Sequence, residues 1–169
     1  MTNYDHDGWL GALAEAVGDL LRDFQARFGY PPGEPTLGEP ARPGELAAAA
    51  TVVPPVLLEF HRRVGEVALP DADNGFFIHP LGLVLADRSD PRSPKRAPAL
   101  TDAELVVFGS DGGGTLFALG AVEGAPVYLL PVGEIVDGVH HGKGRELFPT
   151  FPDFLDWLLR VVREHARTS

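Results

Sequence analysis

Two amphipathic stripes stand near opposite ends of the chain, and neither can bury itself. In the first, Trp9, Leu10, Leu13, Val17, Leu20, Leu21, Phe24 and Phe28 recur at three- and four-residue intervals, which lines one face of a helix. The spacing predicts a helix over 9–28, with Asp5 and Asp7 placed to cap it and Gly29, Pro31 and Pro32 to end it. In the second, Phe154, Leu155, Leu158, Val161 and Val162 share a face and predict a helix over 151–166. Thr150 and Asp153 form an approximate capping box before it, and Asp156 early with Arg160, Arg163 and Arg167 late suits the helix dipole. A single helix has nothing of its own to cover its apolar face, so both stripes must lie against the residues between them.

Those residues begin with YPPGEPTLGEPARPG at 30–44, whose five prolines remove N–H donors and disfavour helix, predicting an extended connection. Glu45 to Ala50 is a helix-forming run. Pro54 to Val64 restarts a helix with proline in its first turn, and Val56, Leu57, Phe60 and Val64 share its buried face. His61, beside that stripe, reads as a partly exposed surface residue rather than a ligand. Short β-rich runs follow at 66–69, 76–79, 81–85, 105–108, 115–119 and 126–130. They are separated by DADNG at 71–75, a polar loop at 87–98, SDGGG at 110–114 and VEGA at 122–125. The pattern predicts one α+β domain over 1–169. Its mostly antiparallel or mixed sheet packs against N-terminal and C-terminal amphipathic helices, with the connection at 30–44 and the core over 45–166.

The composition narrows the chemistry. With no cysteine, disulfides, zinc-thiolate sites and a cysteine nucleophile are excluded. A net charge of -10 opposes nucleic acid and anionic membranes, because both repel an acidic surface. No run of about 18 apolar residues occurs. The opening MTNYDHDGW lacks a basic region followed by an apolar stretch, and the expected location is the cytoplasm.

Tests for catalytic motifs fail one by one. GSDGGG at 109–114 lacks the lysine and following helix of a phosphate loop, and Phe108 stands where a nucleophile elbow around Ser110 needs glycine. DADNG reaches its glycine one place too early for a calcium loop. The histidines at 6, 61, 79, 140, 141 and 165 contain no H-E-x-x-H spacing, and His140 and His141 diverge on either a strand or a helix. Arg88, Arg92, Lys95 and Arg96 read as a solvated loop, and Trp9 and Trp157 as packing residues. No catalytic residue, metal ligand or cofactor site is assigned.

In order, the motifs resemble the SUKH superfamily, which includes fungal regulators of cell-wall synthesis and many bacterial immunity proteins. The resemblance covers roughly residues 9–165. It runs from the tryptophan-bearing helix and Pro-rich joint through ELAAAATVVPPVLLEFHRRVG to VVFGSDGGGTLFALG at 106–120, its most specific part. PVYLLP and FPTFPDFLDWLL at 149–159 follow, with an F-x-x-F-L start to the closing helix. VGEV at 64–67 stands where the family usually has asparagine-glycine, and HHGKGR at 140–145 has no counterpart. The resemblance implies an α+β fold, no catalytic residues, and a protein partner such as a basic nuclease toxin. The candidate partner-binding residues are Asp71, Asp73, Ser110 and Asp111, in the two polar turns. Two further readings stay open: a regulatory or scaffolding domain without a toxin, and a hydrolase or small-ligand protein with a cleft beside Ser110 and Asp111.

Overall fold

A computed structural model describes residues 4–167. Among these residues six helices accompany a seven-stranded sheet. The N-terminal stripe forms α1 (His6–Leu21) and a short α2 (Phe24–Phe28), with the α3 (Pro43–Ala49) and α4 (Pro55–His61) pair following. Strands β1 (Thr36–Leu37), β2 (Val67–Leu69), β3 (Phe76–Ile78), β4 (Leu105–Asp111), β5 (Leu116–Gly120), β6 (Val127–Leu130) and β9 (Arg145–Phe148) lie side by side in that order. Every pairing in this sheet is antiparallel. Helix α5 (Leu81–Asp87) and a long loop separate β3 from β4, a hairpin of β7 (Ile135–Val136) and β8 (Val139–His140) separates β6 from β9, and α6 (Phe151–Arg167) closes the chain.

The sheet has two buried faces because side chains alternate along each strand. Val106, Phe108, Phe117, Leu119 and Val127 face the helices in the main core. On the other face, Leu105, Val107, Ala118, Tyr128 and Leu130 pack with Ala97 from the long loop. Both terminal helices join the main core, with α1 against α6. Trp9 is buried, and its indole N–H donates to the Leu155 carbonyl at 2.7 Å. Thr150 starts α6 by accepting the Asp153 N–H at 3.2 Å, while its hydroxyl donates to the Asp153 carboxylate at 2.8 Å.

Several expectations are corrected. The helix expected over 9–28 starts at His6, where the Asp5 carboxylate accepts the Gly8 N–H, and breaks at Asp23, which takes a left-handed φ of 61°. Phe28 therefore leaves the stripe and is 47% exposed. The run at 81–85 is helix α5, not a strand. Leu81 and Val84, three apart, point into the core, and Pro80 supplies the extended N-cap that starts a helix. The proline-rich connection contributes the edge strand β1, and Gly38 bonds Glu66 at 2.7 Å. Strands β7, β8 and β9 emerge from a stretch with little β signal.

His61 is fully buried, not surface-facing. Its ring fills the junction between α4 and β2, where Nδ1 lies 3.1 Å from the Val64 carbonyl and Nε2 has no hydrogen-bond partner. At the same junction Gly65 passes so close to the Glu39 carbonyl that any Cβ would overlap it. The basic loop is pinned rather than merely solvated. Arg88 donates to the Leu105 carbonyl and pairs with Glu104, each at 2.7 Å, and Lys95 donates to the Asp90 carbonyl at 2.6 Å.

Two outcomes follow for stability. Trp9→Phe removes the indole donor and some packed volume, so urea unfolding should show a loss of about 1 to 3 kcal/mol. Burial holds the His61 imidazole down to about 4, with the Val64 carbonyl opposing that shift. Between there and its usual value near 6.5 the unfolded chain binds a proton that the native protein does not. The stabilisation is complete above about 6.5 and falls with pH toward about 4, by as much as about 3 kcal/mol. His61→Asn, which retains an N–H near the Val64 carbonyl without a titrating ring, should show a shallower fall in urea midpoint between pH 7 and 4.

Candidate functional site

Three turns meet at one end of the sheet. The β2–β3 turn carries Asp71, Asp73 and Asn74, and the β4–β5 turn carries Asp111 to Gly114. They are joined directly, with the Gly112 N–H donating to the Asn74 carbonyl at 2.9 Å. Gly112 has to be glycine for this contact, since a Cβ there would overlap that carbonyl. The segment after β6 supplies Val132, whose Cγ2 borders Gly114 and which is 74% exposed.

Of the four sequence-derived candidates, this end gathers three carboxylates. Asp111 organises its own turn, its Oδ1 accepting the Gly113 and Thr115 N–H groups at 2.8 and 3.0 Å. Asp71 accepts the Gly33 N–H at 2.7 Å and so fastens the proline-rich connection to the sheet. Asp73 is exposed, adopts a left-handed φ of 51°, and lies 3.8 Å from His165 of α6. These hydrogen bonds hold the Asp71 and Asp111 carboxylates in place, whereas Asp73 accepts none of them.

Ser110 behaves differently. It pairs with Phe77, whose neighbours Phe76 and Ile78 point into the main core, so Ser110 faces the opposite side of the sheet. There its hydroxyl lies 2.9 Å from His79 Nε2. His79 Nδ1 is buried with no hydrogen-bond partner, and burial pushes the imidazole below its ordinary value. The neutral ring is the form that this environment favours.

His79 lines a shallow cleft of about 340 Å³ with Asp87, Asp90, Arg92, Val107 and Leu116 among its walls. Burial, then the neighbouring Asp90, raises the Asp87 carboxyl, whereas hydrogen bonds from Arg92 lower that of Asp90. Neither Ser110 nor Asp111 lines this cleft. A serine nucleophile needs its histidine held by an acceptor on the second ring nitrogen and an open approach to the hydroxyl. Here Nδ1 lacks that acceptor, and the hydroxyl is engaged outside the cleft. No local sequence pattern marks this pairing, because the two residues lie 31 positions apart and meet through the β3–β4 register.

His140 and His141 diverge as their adjacency requires. His140 is buried, with Nε2 2.8 Å from the Pro131 carbonyl and Nδ1 accepting the Gly142 N–H at 3.2 Å, while His141 is exposed. Among the described residues, no group of three or more His, Asp or Glu side chains is placed to hold a metal ion. Likewise, no described helix is long and apolar enough to cross a membrane. No protein-family model matches the chain, and comparison with curated proteins gives no significant match.

Ser110→Ala should cost about 1 to 2 kcal/mol in urea unfolding, because it leaves both nitrogens of a largely buried imidazole without a side-chain partner. Ser110→Thr, which keeps the hydroxyl, should recover part of that loss.

Proposed function

We propose that this chain is a non-catalytic protein-binding module of the SUKH type, and that it acts in the bacterial cytoplasm as an immunity protein against a basic toxin such as a nuclease. The observation that carries this reading is the three-turn end of the sheet. There Asp71 and Asp111 are held by hydrogen bonds from the backbone, Asp73 is exposed on the same turn as Asp71, and the solvent-exposed Val132 borders Gly114 of the neighbouring turn. Carboxylates at this rim of the sheet, two of them fixed, offer charge complementarity to a basic protein, and the fixed pair loses little side-chain entropy on binding. The net charge of -10 extends the attraction beyond contact distance and argues against nucleic acid as the direct ligand.

The order of elements supports the SUKH reading. A tryptophan-bearing helix and proline-rich joint precede a helix pair, the β4–glycine turn–β5 unit holds the sheet centre, and the closing helix starts at FPDFL. The Ser110–His79 pair favours a structural role over hydrolysis, since it lacks a third group on Nδ1. On this reading the module needs neither metal nor cofactor.

The test is protection. Cells producing the toxin encoded beside this gene should survive when the protein is co-produced, and the purified pair should form a stoichiometric complex that weakens as salt rises. Asp73→Asn with Val132→Ser should slow association about tenfold or more while leaving the unfolding midpoint nearly unchanged. Equal killing with and without the protein defeats the immunity reading. In that case, a single basic partner captured from native cells points to the regulatory role, and a partner indifferent to both substitutions removes the three-turn surface.

A further inference from the structure

A second recess lies at the far end of the α1–α6 pair from Trp9. It has a volume of about 520 Å³ and opens between α1, α2 and the last turn of α6. Ala12, Ala16 and Ala166 leave the space. Into it the fold brings Arg22, Arg27, Arg163 and Arg167, four of the chain's 14 basic residues. Glu15, Asp19 and Asp23 also line it, and Asp19 is already engaged by Arg22 at 2.7 Å.

Arg27 is the residue that ordinary packing does not explain. Its Nε–H and Nη2–H are both buried, and neither has an acceptor. These two donors share one edge of the planar guanidinium, the edge that grips two oxygens of one carboxylate or phosphate. The group cannot relieve the deficit by losing a proton, and an unpaired buried donor on a charged group costs more than on a neutral one. The Phe28 ring stacks against it, with the guanidinium carbon 5.3 Å from the ring centre. Compensation of the negative C-terminal ends of α1 and α6 is reason enough for Arg163 and Arg167. It does not account for two donors without acceptors on Arg27.

We infer that this recess binds a small oxyanion, presented as phosphate or carboxylate. The Nε–Nη2 edge of Arg27 grips it, and the exposed Arg163 and Arg167 complete the charge at the rim. Since that edge is shut from solvent in the unliganded protein, binding turns the guanidinium toward the recess it already borders. The recess shares no lining residue with the three-turn surface, whose Asp73 meets His165 on the same turn of α6, and it does not depend on the proposed immunity role.

Calorimetric titration of the full chain at low ionic strength, with inorganic phosphate and separately with acetate, tests the inference. One-to-one saturable binding of either anion is expected, and the anion that binds more tightly identifies the chemistry. Arg27→Gln should weaken it by about tenfold or more. Arg27→Lys, which retains the charge without the two-donor edge, should also lose most of the affinity, and Arg163→Gln should lose less. Without added anion, Arg27→Gln should melt at or above the temperature of the unmodified protein, because it removes donors that have no partner. The inference is overturned if neither anion binds up to tens of millimolar, if Arg27→Gln and Arg27→Lys bind as well as the original, or if Arg27→Gln alone markedly lowers the melting temperature.

Discussion

The aromatic contact between the closing helix and the centre of the sheet governs the placement of everything else. Phe151 and Phe154 each meet the buried Phe108 of β4 edge-on at 5.1 Å, and Phe60 of α4 meets Phe151 at 5.5 Å. Such edge-to-face pairs add about 0.5 to 1.5 kcal/mol each beyond the area they bury. Once α6 is seated in this way, the Leu155 carbonyl receives the Trp9 indole, and α1 is aligned along it. The alignment carries Arg27 and Arg163 to the same recess at the other end. In a chain without cysteine, packing and hydrogen bonds hold the two terminal helices together, the Tyr4 hydroxyl donating to the Asp156 carboxylate of α6 at 2.6 Å as well.

The opposite face of the sheet is covered by less regular material, which gives it a distinct character. The loop between α5 and β4 folds over Val107 and Leu130, places Ala97 in a small second core, and is stitched to the β7–β8 hairpin through Gly138 and Arg96. Basic residues that look like a solvated patch in sequence thereby become struts. Arg88 reaches back to β4 and Lys95 closes its own loop. Ser110 and His79 belong to this face, whereas Asp73 and Asp111 belong to the rim. The sequence-derived candidates thus divide between two environments that share one strand.

Elements with strong periodicity were readable in advance because their burial is one-sided. The stripes of α1 and α6 and the β4–glycine turn–β5 unit are cases in which local pattern and tertiary demand agree. LGLVL at 81–85 was not resolvable by period, since a short apolar run suits a buried strand or a buried helical turn. Its helical state comes from Pro80 and from contacts with α3 that no local window contains. His61 misleads for a related reason. It adjoins the apolar stripe of α4, and the connection at 30–44 returns to it, the Ala41 N–H donating to the His61 carbonyl at 2.9 Å. Asp71 and Asp111 were identifiable as turn residues, but the pairing of Ser110 with His79 and the unpaired edge of Arg27 exist only in three dimensions.

The outer edges of the sheet are poorly suited to pairing with a further strand. On one side β1 has only two residues, with Pro35 before it and Pro40 shortly after. On the other, β9 begins with exposed Arg145 and Glu146 and ends with half-buried Leu147 and Phe148 before Pro149. Brevity, charge and proline all blunt a strand edge as a template for further pairing. Recruitment by adding a foreign strand, and self-assembly into extended ribbons, are therefore both disfavoured. On the proposed binding role, recognition falls to side chains on turns, where a few substitutions can change the partner without disturbing the backbone ladder beneath.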